Sequence, residues 1–289
     1  VEKNMAQNPL QSYFRQPSVY ITLPTQGKWY TSQDVTLSAN NELAIYGLTA
    51  RDDVLLNTPD AMLNGEALKK VIRNCVPDIH NVDALMMPDL ETIFVGMKIA
   101  SSSDGVVDIH KTCPKCGHVC DFELQCQPAL DNQVIIEPND GVCEIDGKLR
   151  VFVKPYNFRQ RGIFIQKEFE EEKMLKTYDI TNPQSNEFAR ADVMSQAIDR
   201  ISSLTFQLVA GSIDCVEVID SGQLVKDQES ITEWLMNISS TQAETVINAV
   251  DLLNKCGPDK SLTVTCTSCA HEWQDSVTYD PISFFAKRS

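Results

Sequence analysis

No apolar run in this 289-residue chain approaches the roughly 18–20 residues that a membrane-spanning helix needs. Residues Val1 to Leu10 lack the basic-then-apolar layout of a secretory signal. Basic charge is also scarce. Against 40 Asp and Glu stand 25 Lys and Arg, a formal net charge of −15. Such a surface repels phosphate backbones and anionic headgroups, because binding either depends on Lys and Arg neutralising phosphates. A nucleic-acid partner is therefore unlikely on charge, and no membrane partner is expected. Catalytic signatures are missing too: there is no Walker A, G-x-G-x-x-G or G-x-S-x-G, and His271-Glu272 lacks the second His of H-E-x-x-H. The acidic run Glu168 to Glu172 reads as a solvated helix face, and no nucleophile pairs with a base at a readable spacing. The expectation is a protein that is not an enzyme.

What the chain does have is ordinary globular composition, 43 % hydrophobic and 22 % charged. Its length suggests one or two domains and a core large enough to fold without disulfides. Ten cysteines without an export signal read as free core thiols or metal ligands. The chain opens on Val, and Met5 stands just before the patterned sequence, so residues 1–4 read as a short extension.

The N-terminal third mixes strand and helix signals. Ser18 to Leu23 is β-branched and aromatic between Pro17 and Pro24, a short strand entering a turn at Gly27. Leu43 to Tyr46 is a second extended piece. Thr49 with Asp52 and Asp53 marks a helix start, and the helix should stop before Pro59. Leu68, Val71, Ile72 and Cys75 repeat at the spacing of one buried helical face. Pro88 suits a first helical position ahead of Leu90, Ile93, Phe94 and Met97. Farther on, Asp146-Gly147 suits a two-residue hairpin turn. Gly162 to Tyr178 and Glu187 to Val209 read as helices. In the second, Ala191, Met194, Ile198, Ile201, Thr205 and Leu208 form a seam too short for a coiled coil, so a core helix is expected. Ser230-x-x-Glu233 and Thr241-x-x-Glu244 are capping-box patterns ahead of two more helices ending near Gly257-Pro258.

Four of the cysteines carry the sharpest signal. Thr112-Cys113-Pro114-Lys115-Cys116-Gly117-His118 and Thr265-Cys266-Thr267-Ser268-Cys269-Ala270-His271 repeat Thr-Cys-x-x-Cys-x-His, separated by residues 117 to 265, a stretch of 149. Each copy sits between alternating strand-like segments, Val106 to Thr112 and His118 to Leu124, then Leu262 to Thr265 and His271 to Tyr279. Zn²⁺ takes four tetrahedral ligands and favours soft, anionic thiolate, and a two-residue gap lets both sulfurs of a turn face one ion. Pro114 and Gly117 suit the first turn; Ala270 stands where glycine would sit more easily. The reading is a zinc ribbon split by a long insertion, with Cys113, Cys116, Cys266 and Cys269 holding one structural Zn²⁺. Four thiolates leave no open position for catalysis. The competing readings are buried thiols with chance spacing, or a redox pair. The second fails because neither motif opens a helix. Cys120, His118 or His271 remain as substitutes for one ligand, while Cys75, Cys126, Cys143, Cys215 and Cys256 read as core thiols. Overall the sequence predicts an α+β fold. It has an N-terminal mixed α/β region (1–105), a split zinc-ribbon-like β unit (106–126 plus 262–280) formed by two distant C-x-x-C hairpins, and a mainly helical insertion with a hairpin (127–261).

The N-terminal segment also resembles a known family. Asn8-Pro9-Leu10, Tyr13-Phe14-Arg15-Gln16-Pro17, Tyr20-Ile21, Leu23-Pro24 and Gly27 are similar to the start of the baseplate proteins of T-even-type bacteriophages. So are Leu48-Thr49-Ala50, Thr58-Pro59-Asp60-Ala61, Asn64-Gly65 and Cys75-Val76-Pro77-Asp78-Ile79. The ending Asp280-Pro281, Phe284-Phe285 fits as well. The resemblance covers roughly residues 8–126 and 262–285. It implies a structural or assembly role in the baseplate hub of a contractile-tail virion assembled in the host cytoplasm. The implied partners are other hub, tail-tube or tape-measure proteins, or further copies of the chain. The alternatives are a zinc-ribbon regulatory module binding nucleic acid through Lys148, Arg150, Lys154, Arg159 and Arg161, and a metal hydrolase, which would need an open metal position.

Overall fold

The computed structural model describes residue 10 and residues 13–56, 65–102, 104–181 and 187–279. The helix stop at Pro59, the extension 1–4 and the motifs at residues 8–9, 58–64 and 280–285 lie outside them. Among the described residues the fold is α+β, with eight α-helices and four small antiparallel sheets.

The first body packs a two-stranded hairpin, β1 (Pro17–Thr22) and β2 (Glu42–Tyr46), against helices α1 (Ala50–Leu56), α2 (Glu66–Cys75) and α3 (Met87–Ser101). In α2 the predicted face is the buried one: Leu68, Val71, Ile72 and Cys75. Helix α3 starts one residue before Pro88 and buries Leu90, Ile93, Phe94, Val95 and Met97 nearly all round, as a helix through the middle of a core must. A Cβ on Gly96 would stand 2.5 Å from Ile45 Cδ1, so glycine is what lets α3 lie this close to the hairpin.

The next segment carries β3 (Val106–Thr112) and β4 (Val119–Gln125), paired from Val106↔Gln125 to Thr112↔Val119. Val106 and Val107 are buried, while the strand tip leads outward to the first cysteine pair. After the short helix α4 (Gln127–Asp131) comes a four-stranded antiparallel sheet in chain order: β5 (Val142–Ile145), β6 (Leu149–Val153), β7 (Ile213–Val218) and β8 (Gln223–Val225). Asp146 and Gly147 take the expected positive φ of 52° and 65° in its first turn, but Ile145 pairs with Leu149, so the loop is three residues long and not two. Strands β7 and β8 are not foreseen in the sequence reading; they make the central segment a sheet as well as helices.

Between β6 and β7 rises a helical hairpin, α5 (Phe158–Thr181) and α6 (Glu187–Gly211), pinned across by a bidentate pair from Arg200 to Glu171 at 2.8 and 2.9 Å. Among the described residues Leu208, Val209 and Ala210 at the base of α6 are buried, as is Ala197 farther out, whereas Met194 and Ile198 of the expected core seam are exposed. The seam is therefore covered toward the base of the helix, where Ile201 and Thr205 are half-buried, and open beyond it. Helices α7 (Gln228–Asn237) and α8 (Ser240–Asn254) cover the sheet. Their caps correct the sequence reading. Asp227, not Ser230, caps α7, and Ser239 with Gln242 forms the capping box of α8 in place of Thr241 and Glu244. Strands β9 (Ser261–Thr265) and β10 (Glu272–Ser276) then make the second cysteine-bearing hairpin, and Val277 and Tyr279 return to the first core.

The N-terminal turn is locked to α3 by a buried carboxylate. Asp89 accepts from Thr25 N (2.9 Å), Thr25 Oγ1 (2.5 Å) and Tyr30 Oη (2.5 Å), and Tyr30 Oη in turn accepts from Met86 N at 2.8 Å. Burial pushes the Asp89 carboxyl up to about 6, against the hydrogen bonds that favour its charge. The folded chain therefore takes up this proton at higher pH than the unfolded one. The cost of the buried charge is full above pH 6 and fades as pH falls toward 4. Asp89→Asn removes the charge and keeps the shape. Urea denaturation at pH 7 and pH 5 should show wild type gaining about 1 kcal/mol more than the variant on acidification. Equal pH slopes would contradict this assignment.

Candidate metal centre

The two cysteine motifs, 149 residues apart in the chain, meet at the tips of β3–β4 and β9–β10. Both knuckles repeat the same two backbone bonds. Cys113 N donates to His118 O (2.8 Å) and Gly117 N to Cys113 O (2.9 Å); Cys266 N donates to His271 O (2.8 Å) and Ala270 N to Cys266 O (3.0 Å). Gly117 and Ala270 occupy the same left-handed position, with φ of 71° and 54°. Glycine takes it freely, whereas alanine is strained there.

The sulfurs of Cys113, Cys116, Cys266 and Cys269 lie within 4.8 Å of one another. Cys113 Sγ is 3.8 Å from Cys269 Sγ, and Cys116 Sγ is 3.6 Å from Cys266 Sγ. These spans are far too long for disulfides of about 2.05 Å. A tetrahedron with metal–sulfur bonds of about 2.3 Å has edges of about 3.8 Å, so the spacing fits one tetrahedral ion. Each hairpin supplies two sulfurs, and each of these two contacts crosses between hairpins.

The electrostatics point the same way. Burial opposes ionisation of Cys266, but the backbone N–H groups of Cys269 and Ser268 aim at its sulfur and, with the Cys116 and Cys269 thiols, bring it down to about 6. At Cys116 a backbone hydrogen bond at His118 favours the thiolate. Hydrogen bonds of the neutral thiol to the Cys269, Cys113 and Cys266 sulfurs, with lost solvation, outweigh it and push that thiol up to about 12. Cys266 thus offers a thiolate near neutral pH, the form in which sulfur ligates a metal.

Around the four sulfurs the packing is thin. Cys113, Cys120 and Cys266 are the buried residues of this cluster, flanked by Phe122, Cys269 and Trp273, with no aliphatic side chain among them. Cys120 stands outside the four but close, its Sγ 3.7 Å from Cys266 Sγ. Neither His118 nor His271 joins the sulfur group; the His271 ring stacks on Trp273 at 6.1 Å. Lys111 of β3 ties the hairpins from outside, donating to Asp275 Oδ1 (3.1 Å) and Ser276 O (2.7 Å). The remaining cysteines are as expected: Cys75, Cys126, Cys215 and Cys256 are buried and Cys143 half-buried. Burial raises Cys75 and Cys126 to about 11, leaving them unreactive at neutral pH.

Of the five basic residues read as a nucleic-acid patch, two are paired with carboxylates. Arg150 bridges Glu144 and Glu217, and Lys154 faces Asp214.

Fold and site together describe an α+β scaffold with a closed tetrathiol cluster joining two hairpins. Residues 17–286 match the family described as T4 bacteriophage base plate protein, and the chain belongs to that family. Membership places it among the structural components of the phage baseplate. No curated protein and no solved structure matches the chain.

The paired knuckles give a direct test of the strained position. Ala270→Gly should stabilise the protein by about 0.5–1 kcal/mol in urea denaturation, and Gly117→Ala should cost about as much. No atom stands within 4 Å of a Cβ at Gly117, so the second variant reports the backbone alone. Unchanged midpoints in both would mean that the left-handed turns carry no strain.

Proposed function

We propose that this protein is a structural or assembly subunit of the baseplate hub of a contractile-tailed phage. It would act by docking to other hub, tail-tube or tape-measure proteins, with further copies of itself as an additional partner. The family match over residues 17–286 carries the reading. One structural Zn²⁺ on Cys113, Cys116, Cys266 and Cys269 is part of the proposal, supported by the tetrahedral spacing and by thiolate being a soft donor. The ion would supply no reaction, because four protein ligands close its coordination sphere. Its work would be to hold together two hairpin tips that pack on each other mainly through cysteine. We divide the chain accordingly into an N-terminal mixed region (1–105), the split ribbon (106–126 plus 262–280) and the insertion between its halves (127–261).

The negative charge of −15 suits a component that meets protein surfaces while avoiding packaged or host DNA. Assembly in the host cytoplasm is consistent with ten free thiols, which a reducing compartment preserves. The nucleic-acid reading finds little support once Arg150 and Lys154 are paired.

Quantitative mass spectrometry of gradient-purified particles of the encoding phage tests the role. The expected result is a fixed ratio of this chain to a hub or tail-tube protein. Absence from particles, with abundance in infected cells, would overturn a built-in subunit and leave an assembly factor.

A further inference from the structure

We propose that the free edge of β1 is a docking site for an extended segment of a partner protein, which adds to it as a further strand. Strand β1 pairs with β2 on one side only. The backbone groups on its other side are identified by three bonds. Thr22 O accepts from Gln133 Nε2 at 3.2 Å, and Pro24 O, two residues on, accepts from Ile136 N at 2.9 Å. Across the hairpin Glu42, the partner of Thr22, directs its own backbone away from β1 to Ser38. Residues of the Thr22 parity therefore face outward, and alternation along an antiparallel pair gives Tyr20 the same orientation. The N–H and C=O of Tyr20 and the N–H of Thr22 point away from β2, with no partner on that side among the described residues.

These groups line an open groove of about 450 Å³ whose far wall is Ile99 of α3 and Gln127, Leu130 and Gln133 of and after α4. The chain already begins the pairing at one end, where Ile136 meets Pro24 and the Gln133 amide stands in for the next peptide group at Thr22. Gln133 Oε1 is buried and, among the described residues, has no hydrogen-bond partner. Unpaired strand groups along one edge are what an added strand completes. Buried polar atoms are rarely left without a partner, and exposed edges are normally blunted or covered.

The occupant's chemistry follows from the walls. Its backbone must be extended and free of proline opposite Tyr20. Alternate side chains must be apolar, to lie on Ile99 and Leu130. Asp131 at the groove and the net charge of −15 favour Lys or Arg flanking that core. The exposed Tyr20 beside the groove adds an aromatic contact.

Twelve-residue synthetic peptides tiling the other tail and baseplate proteins of the encoding phage are the probe, read by fluorescence anisotropy with the full chain. At least one apolar-alternating, basic-flanked peptide should bind. Tyr20→Pro deletes an outward N–H without touching the β1–β2 bonds, and should weaken that binding at least tenfold, whereas Tyr20→Phe should leave it within about twofold. Amide exchange on the wild-type chain needs no variant to fold. Tyr20 and Thr22 should exchange freely alone and slow at least a hundredfold with the peptide, while Ile21 is protected throughout. No peptide binding, equal binding by Tyr20→Pro, or protection of Tyr20 and Thr22 in the free chain would each overturn the proposal. The last would mean that the chain's own residues fill the groove. The baseplate reading enters only in choosing the peptides, so a chain found in particles that binds none of them defeats the edge site alone.

Discussion

Four sulfur atoms from two ends of a 149-residue stretch converge within 4.8 Å, and the rest of the architecture is arranged around that closure. At the tips of the two hairpins little apolar surface is shared: that cluster is cysteine with one phenylalanine and one tryptophan. Closing so long a loop by a cross-link removes about 5 kcal/mol of unfolded-chain entropy. That is comparable with the whole stability of many domains. A metal bound by all four thiolates would supply this closure. The loop it closes is no passive linker. It contains a four-stranded sheet, two covering helices and a protruding helical hairpin, so the ribbon holds both ends of a second folded body.

The ribbon is itself anchored below. Val107 enters the first core from one hairpin, and Val277 and Tyr279 return to it from the other. Lys260, just before β9, reaches Glu91 of α3 at 2.6 Å. Two turns of chemistry meet on that helix. Its second residue lies beside Gly257, and its buried Asp89 gathers Thr25 and Tyr30 from the N-terminal turn. A buried carboxylate without a cation costs free energy, but it fixes one arrangement of turn and helix, since only there are all its bonds made. Helix α3 is thereby the common floor on which the β1–β2 hairpin, the ribbon and the insertion all stand.

How much of this the sequence discloses depends on the range of the interaction. The cysteine knuckles, the Asp146-Gly147 turn and the buried face of α2 are local patterns with one strong structural solution each, and all were legible. The hairpin strands of the ribbon were legible because they flank the knuckles. Strands β7 and β8 were not. Ile213 to Val218 follows directly on a long helix, and Gln223 to Val225 is three residues, too short for a period to register. Caps slipped by two or three positions, because Asp227 and Ser239 cap as well as Ser230 and Thr241 do. Met194 and Ile198 repeat as core residues repeat, yet they stand on an exposed arm; periodicity tells which residues share a face, and only packing tells what covers it. The Asp89 network joins residues about sixty apart, and Cys120 beside Cys266 is 146 apart. No local pattern announces either one.

The most direct test of the central claim is zinc K-edge X-ray absorption on the purified full-length chain, with the metal content of the same sample. About one zinc per chain surrounded by four sulfurs at about 2.3 Å is the expected result. A zinc shell containing nitrogen or oxygen, or a folded chain that carries no metal at all, would contradict it.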